Sequence, residues 1–345
     1  TIMMQLVFIV AVLALSTESP AIAWSFTTIP AFGTHTHGSA LAFELLHAIN
    51  LDPLSVFSDF RGLLVADTDV TRTTLATNVE GQIAHIIARA LKNCSAIDLA
   101  LVDVGGNSGV FTLLAAHLGC RVAVFEPQPD CVHLIEHNIQ LNNFTHLVDV
   151  LPTVVADLGD HGHSEQILVN AAMDCRGDYH PDESERGSDP LGMPPVSLEQ
   201  FITKPVTVLK IDIEGYEFQA LKDSAYGLLS ERGLVKNLVV EVVPWWWQPG
   251  RSANDNWQNY LDDGVQLFRF IARQEYQVYL LSDERRFPGV IEEKLCSTPP
   301  GGIRGDVYHL TPDDIPVLLY SLFISRTGCN LWFTREPWAS SYSCR

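Results

Sequence analysis

The sequence is poor in positive charge. It has 22 Lys and Arg against 41 Asp and Glu, a formal net charge of −19. That deficit argues against nucleic-acid binding, where lysine and arginine must neutralise phosphates. None of the seven cysteines forms a C-x-x-C pair, so a zinc framework is not expected. No internal repeat is present, which excludes solenoids and propellers. No G-x-G-x-x-G run occurs either, a point that bears on cofactor choice below. Long apolar runs are almost absent. The one at residues 2–15 is shorter than the roughly 20 residues needed to span a bilayer.

That run is followed by Ala21-Ile22-Ala23, an A-x-A cleavage pattern, and reads as a secretory signal peptide over residues 1–23. An uncleaved membrane anchor and a bipartite plastid signal are the alternatives. The expected location is the secretory lumen or outside the cell. Two sequons, Asn93-Cys94-Ser95 and Asn143-Phe144-Thr145, agree with this weakly. An oxidising lumen would allow disulfides. The expected participants are Cys175, Cys296, Cys329 and Cys344, which lie in loop-like sequence. Cys94 could lie in a loop. Cys120 and Cys131 flank helical patterns and read as small buried hydrophobes.

What is present is a large apolar fraction, 47% of 345 residues, enough for a substantial core. Residues 24–80 carry weak helical periodicity, as at Leu41, Phe43, Leu45, Leu46 and Ile49, and read as an N-terminal extension. A helix is expected from Gly81 to Leu91. From about residue 97 strands and helices alternate. Leu99–Val104 is continuously apolar, as for a parallel strand buried on both faces. Helix Ser108–Leu118, strand Arg121–Phe125, helix Pro129–Leu141 and strand Val148–Val155 follow. Residues 157–195 read as a long loop with a short strand at Ile167–Val169. Strand Pro205–Ile213, helix Tyr216–Leu229 and strand Leu238–Val243 complete a doubly wound parallel α/β sheet over residues 81–245. Residues 246–345 read as a loop-rich C-terminal extension. It holds helices at Tyr260–Arg273 and Asp313–Leu322 and a strand at Gln277–Leu281.

The first strand ends in Asp103 and runs into Gly105-Gly106-Asn107-Ser108-Gly109. A glycine turn there lets main-chain N–H groups approach a ligand at a helix start. In open α/β sheets, ligands bind at the carboxyl ends of the strands. Four strands end in acids: Asp103, Glu126, Asp212 and Glu241. A nicotinamide dinucleotide fits poorly. Counting from Gly105, Asn107 and Val110 occupy the second and third glycine positions of its fingerprint, and Asp103 would repel a diphosphate. S-adenosylmethionine, which carries a sulfonium and an ammonium and no phosphate, fits better. Glu126 is placed to accept from its ribose hydroxyls, and Asp103 or the main chain of the turn could receive the ammonium.

Asp103-Val104-Gly105-Gly106-Asn107-Ser108-Gly109, Phe125-Glu126-Pro127 and Lys210-Ile211-Asp212-Ile213-Glu214-Gly215-Tyr216-Glu217 together resemble the FkbM family of S-adenosylmethionine-dependent methyltransferases. Ser197-Leu198-Glu199 is similar to the family's S-L-D. The resemblance covers roughly residues 80–245. It departs at Gly106, where the family often has Ala, which reads as a mild change. It implies a Rossmann-like class I methyltransferase sheet and methyl transfer to a hydroxyl of a sugar or natural product.

On that reading Asp212 is the first candidate for base. Lys210 shares its face and could pair with Asp212 or Glu241. Asp103, Gly105, Gly106, Asn107, Gly109, Glu126, Pro127 and Asp157 form the expected cofactor set. Glu214 and Glu217 begin a helix, where acids complement the dipole. No motif demands a metal, although Asp212 and Glu241 could hold a divalent cation. The histidines and acids of the long loop, His161, His163, His180, Asp157, Asp160 and Asp174, match no standard metal spacing. His309 is a possible second base. Trp245-Trp246-Trp247 could stack on a sugar or pack the C-terminal segment, and packing is favoured. The partner expected is a small-molecule or glycan acceptor, with a membrane only if the N-terminal segment stays uncleaved. Two other readings compete: a catalytically silent cofactor- or glycan-binding protein of the same fold, and a nicotinamide oxidoreductase.

Overall fold

The computed structural model describes residues 78–156, 167–170, 175, 190–230, 233–247, 257–282, 291, 293–296 and 306–339, together with three short strands that precede them. Those strands, β1 (Phe26–Thr27), β2 (Ala42–Glu44) and β3 (Leu64–Ala66), pair antiparallel. Helical periodicity is thus overturned at Phe43, which pairs with Phe26 and Val65. The expected signal peptide lies outside the described residues.

The main sheet starts with β4 (Leu99–Val104), preceded by helix α1 (Asn78–Ala90). Helix α2 (Val110–His117), β5 (Arg121–Phe125), α3 (Pro129–Leu141) and β6 (Val148–Leu151) follow. A separate hairpin joins β7 (Ile167–Asn170) to β8 (Pro190–Met193). Next come α4 (Leu198–Phe201), β9 (Val206–Ile211), α5 (Glu217–Leu221), α6 (Ser224–Leu228) and β10 (Val235–Val242). The chain continues through α7 (Trp257–Ala272), β11 (Gln277–Ser282), β12 (Asp306–Leu310), α8 (Asp314–Ser325) and β13 (Cys329–Thr334).

Eight strands lie in the order β12-β11-β13-β10-β9-β4-β5-β6. Strands β6, β5, β4, β9 and β10 are mutually parallel, while β13 is inserted antiparallel between β10 and β11. The chain leaves β4 towards β5 and β6, then returns to β9 on the other side. The switch point therefore falls between β4 and β9, where ligands of open α/β sheets bind.

Alternation along the strands builds two cores. Val102, Val104, Leu209, Ile211, Leu238 and Val240 face one side, with Phe218, Leu228, Phe268 and Leu318. Leu101, Val208 and Val239 face the other, with Ile86, Leu113, Leu114 and Ile135. Both faces are covered, which makes the sheet doubly wound as expected.

The loop-rich extension expected at 246–345 contributes three strands to this sheet. Buried Asn237 ties the junction: it donates to Thr207 O and accepts from Trp332 Nε1 at 3.1 Å and Thr334 Oγ1 at 2.7 Å. The helix expected over Tyr216–Leu229 breaks into α5 and α6. At the break the Ser224 hydroxyl meets Ser197 Oγ and accepts from Glu199 N on α4, a side-chain alternative to a continuous helix. Strand β6 stops at Leu151; Val155 instead forms a lone bridge with Val196.

The cysteine expectations change as well. Cys94 bonds to Cys120 and Cys131 to Cys175, and Cys296 is also disulfide-bonded. Cys120 and Cys131 are buried as expected, yet they are cross-linked; Cys329, expected in a disulfide, is a buried free thiol, and Cys344 lies outside the described residues. Helix ends bring cysteines distant in sequence to Cα separations of 5.5 and 4.7 Å, within the usual disulfide range.

Candidate active site

Asp103 is fully buried near the end of β4. Thr112 Oγ1 on α2 donates to its Oδ2 at 2.7 Å, and Lys210 Nζ lies 3.6 Å from its Oδ1. That Oδ1 makes no hydrogen bond. Burial pushes the carboxyl above the usual range, and the Lys210 charge and the Thr112 bond oppose the shift.

The turn after β4 needs glycine for two reasons. Gly105 has φ +80°, and a Cβ on it would sit 1.7 Å from Asp212 O. Gly106 has ordinary backbone, yet its Cβ would lie 2.3 Å from Val124 Cγ2 and 3.0 Å from Ile135 Cδ1. The Ala common in the resembling family is therefore not a mild change here, because Val124 is buried and β-branched. The expected cradle of free N–H groups is also revised. Gly105 N and Gly106 N both donate to Phe125 O, Gly109 N donates to Gly106 O, and Asn107 N donates to Glu126 Oε2 at 2.8 Å. Four N–H groups of the turn are thus engaged within the protein itself.

Glu126 follows β5 and is 2% exposed. Its Oε1 accepts from Gln128 N at 2.8 Å, so each carboxylate oxygen holds one backbone N–H. Burial pushes it up to about 7. Asn138 on α3 fastens the turn by donating to Ser108 O. The Cys131–Cys175 bond brings Cys175 Sγ to 3.9 Å from Asn107 Oδ1. Thr112, Gln128, Asn138 and this disulfide are support that sequence reading did not identify. Pro127 is half-buried beside Glu126. Asp157 lies outside the described residues, as do the long-loop residues His161, His163, His180, Asp160 and Asp174.

Across the switch point, Lys210 is 4% exposed. It donates to Gly105 O at 2.9 Å, stands 3.3 Å from Asp212 Oδ2, and lies 5.5 Å above the Phe111 ring. Its expected pairing with Asp212 is present, and a second one, with Asp103, is added. Asp212 N donates to Val104 O, which fixes the end of β9 against β4.

Asp212, Glu214 and Glu241 come together, each offering an oxygen within 4.8 Å of the others. Glu214 reaches this position through φ +53°. Burial and the charges of Asp212, Glu214 and Glu217 hold the Glu241 carboxyl well above the usual range. Glu217 is fully buried; its Oε1 braces the turn by accepting from Ile213 N and Gly215 N, and burial pushes it up to about 7.

The three tryptophans divide. Trp247 is fully buried, stacked on Phe268 and seated over Gly264, so packing is its role. Trp245 and Trp246 are half-buried, with ring centroids 4.9 Å apart, and Trp246 packs on Gly215 at the acidic turn. His309 lies on edge strand β12, with β11, β13 and β10 between it and β9, so it is no second base at this site.

The residues present fit S-adenosylmethionine. Glycines clear the turn, a buried acid ends each of β4 and β5, and four of the turn's N–H groups are engaged within the protein. Asp103 and Glu126 would hold it, with Gly105, Gly106 and Asn107 shaping the approach. Fold and site together define an S-adenosylmethionine-dependent methyltransferase with a Rossmann-like class I sheet. The methyltransferase FkbM domain matches residues 103–278, and the chain belongs to that family.

No curated protein matches the sequence. Similar solved structures include an O-methyltransferase from Bacillus cereus in complex with SAH, at 11% identity and TM-score 0.34, over 75% of this chain and 82% of that one. A SAM-dependent methyltransferase from Agrobacterium tumefaciens gives 10% and 0.37, over 79% and 67%. The O-methyltransferase TomG from Streptomyces achromogenes gives 12% and 0.34, over 74% and 80%. Likenesses this distant carry no argument about substrate.

Proposed function

We propose that this methyltransferase acts on a hydroxyl oxygen of a sugar or small natural product, within the secretory pathway. The observation that carries the reading is Asp212 at the end of β9, held 3.3 Å from Lys210 and beside the cofactor turn. Bound S-adenosylmethionine supplies an electrophilic methyl group. The protein must then align the acceptor oxygen and receive its proton. Asp212 is the group to receive it, and Lys210 holds that carboxylate in place. The half-exposed Trp245 and Trp246 offer an aromatic wall on which a sugar ring or planar acceptor can rest. The disulfides support an oxidising compartment.

The test incubates the protein with labelled S-adenosylmethionine and separated glycan, lipid and small-molecule extracts. Label should enter a glycan or small-molecule fraction as an alkali-stable ether. Label confined to amines or to protein would sink the hydroxyl reading. Asp212→Ala should bind cofactor, as calorimetry reads it, yet lose at least about a hundred-fold in turnover. Unchanged turnover would remove Asp212 from the mechanism. Binding in the wild type with no transfer to any fraction would favour a catalytically silent binder.

A further inference from the structure

We propose that Asp212, Glu214 and Glu241 form a site for one hard divalent cation beside the methyl-transfer centre. The three residues come from the end of β9, the turn after it and the end of β10. Their oxygens lie within 4.8 Å of one another, no more than about twice a calcium–oxygen bond of ~2.4 Å. The donor set is all carboxylate oxygen, which suits Mg²⁺, Mn²⁺ or Ca²⁺ and not a soft metal.

Two enclosed oxygens point to a missing positive partner. Glu241 Oε2 is shut off from solvent and has no hydrogen-bond partner. Glu217 stands outside the trio and is fully buried. Its Oε1 is engaged by two backbone N–H groups, while its Oε2 is enclosed and has no donor. Its charge acts on both Asp212 and Glu241. Four carboxylates are thus gathered where the neighbouring ammonium, Lys210, is already shared among Gly105 O, Asp103 and Asp212. Buried like charges are tolerated when they are protonated or when a cation sits among them. A cation bound by the trio compensates Glu241 directly and Glu217 at longer range. Its place in transfer, holding the acceptor oxygen and easing loss of its proton, rests on the methyltransferase reading above; its binding does not.

The experiment is a Mn²⁺ titration of the full chain followed by electron paramagnetic resonance, at ~0.15 M salt so that the acidic surface is screened. One saturable Mn²⁺ per chain is expected, displaced by Mg²⁺ or Ca²⁺. Glu214→Gln and Glu241→Gln should each weaken it by at least about ten-fold. Glu214→Gln changes a half-buried group and guards against misfolding of the second variant. Mn²⁺ should also raise the melting temperature of the wild type more than that of either variant. Absence of saturable binding in the wild type, or equal affinity in both folded variants, overturns the site. A parallel calorimetric titration with S-adenosylmethionine separates the outcomes. Its failure would count against the methyltransferase reading and leave the Mn²⁺ result standing.

Discussion

Thr112 shows how one hydroxyl can set the chemistry of a charged neighbour. It donates to Asp103 Oδ2 at 2.7 Å from inside helix α2, where both groups are fully buried. Removing the donor leaves a second oxygen of a buried carboxylate without a hydrogen bond. Thr112→Val preserves shape, so its cost isolates that bond: ~1–3 kcal/mol of stability is expected, read by urea unfolding. If Asp103 holds the cofactor as proposed, affinity for S-adenosylmethionine should fall together with stability. A variant with wild-type stability and affinity would show that Lys210 alone holds Asp103. This pairing was not legible in the sequence. Asp103 was, since an acid ending an apolar strand is conspicuous, but Thr112 reads as an ordinary helix residue until α2 folds back over β4. Glu214 was hidden for a similar reason: helix-start acids are common, and nothing in the pattern announces the positive φ that turns it towards Glu241.

Elements carry the site because the turn and the strands on either side fit without slack. Gly106 makes the point, since a Cβ there meets Val124 on β5 and Ile135 on α3 rather than open space. Gly106→Ala should cost ~1–3 kcal/mol through forced repacking, measured by denaturant midpoint at unchanged slope. Wild-type stability would mean that Val124 moves aside freely. The parallel strands β4, β5, β9 and β10 were legible because strands buried on both faces are continuously apolar. Helix α3 was legible from Pro129 and Asp130 at its start. The break between α5 and α6 was not, because apolar periodicity runs across it and the Ser224 contacts with α4 that accompany it are tertiary.

At the scale of the molecule, strands β11, β12 and β13 close one side of the sheet; β11 falls where a strand is expected, at Gln277–Leu281, while β12 and β13 come from sequence that reads as loops. All three run antiparallel next to one another, and pairing between distant segments leaves no local mark. The cysteines behave alike, since bonding depends on Cα approach rather than on loop-like surroundings. Acid distribution is a whole-molecule property with a measurable consequence. Glu126 is pushed up to about 7 by burial, against an ordinary value of 4.5. A carboxyl raised on folding binds more protons in the native state than in the unfolded one between those values. Its contribution to stability is therefore full below 4.5 and is lost as pH rises to about 7. Without cofactor, the melting temperature of wild type minus that of Glu126→Gln should be larger at pH 5 than at pH 7.5, by several degrees for a domain of this size, at roughly 2–4 °C per kcal/mol. Saturating S-adenosylmethionine should shrink the difference if the ribose hydroxyls hold the ionised carboxylate. A gap that does not change with pH would mean that Glu126 titrates in the folded protein as it does in the unfolded chain. The two backbone donors, Asn107 N and Gln128 N, would then offset its burial.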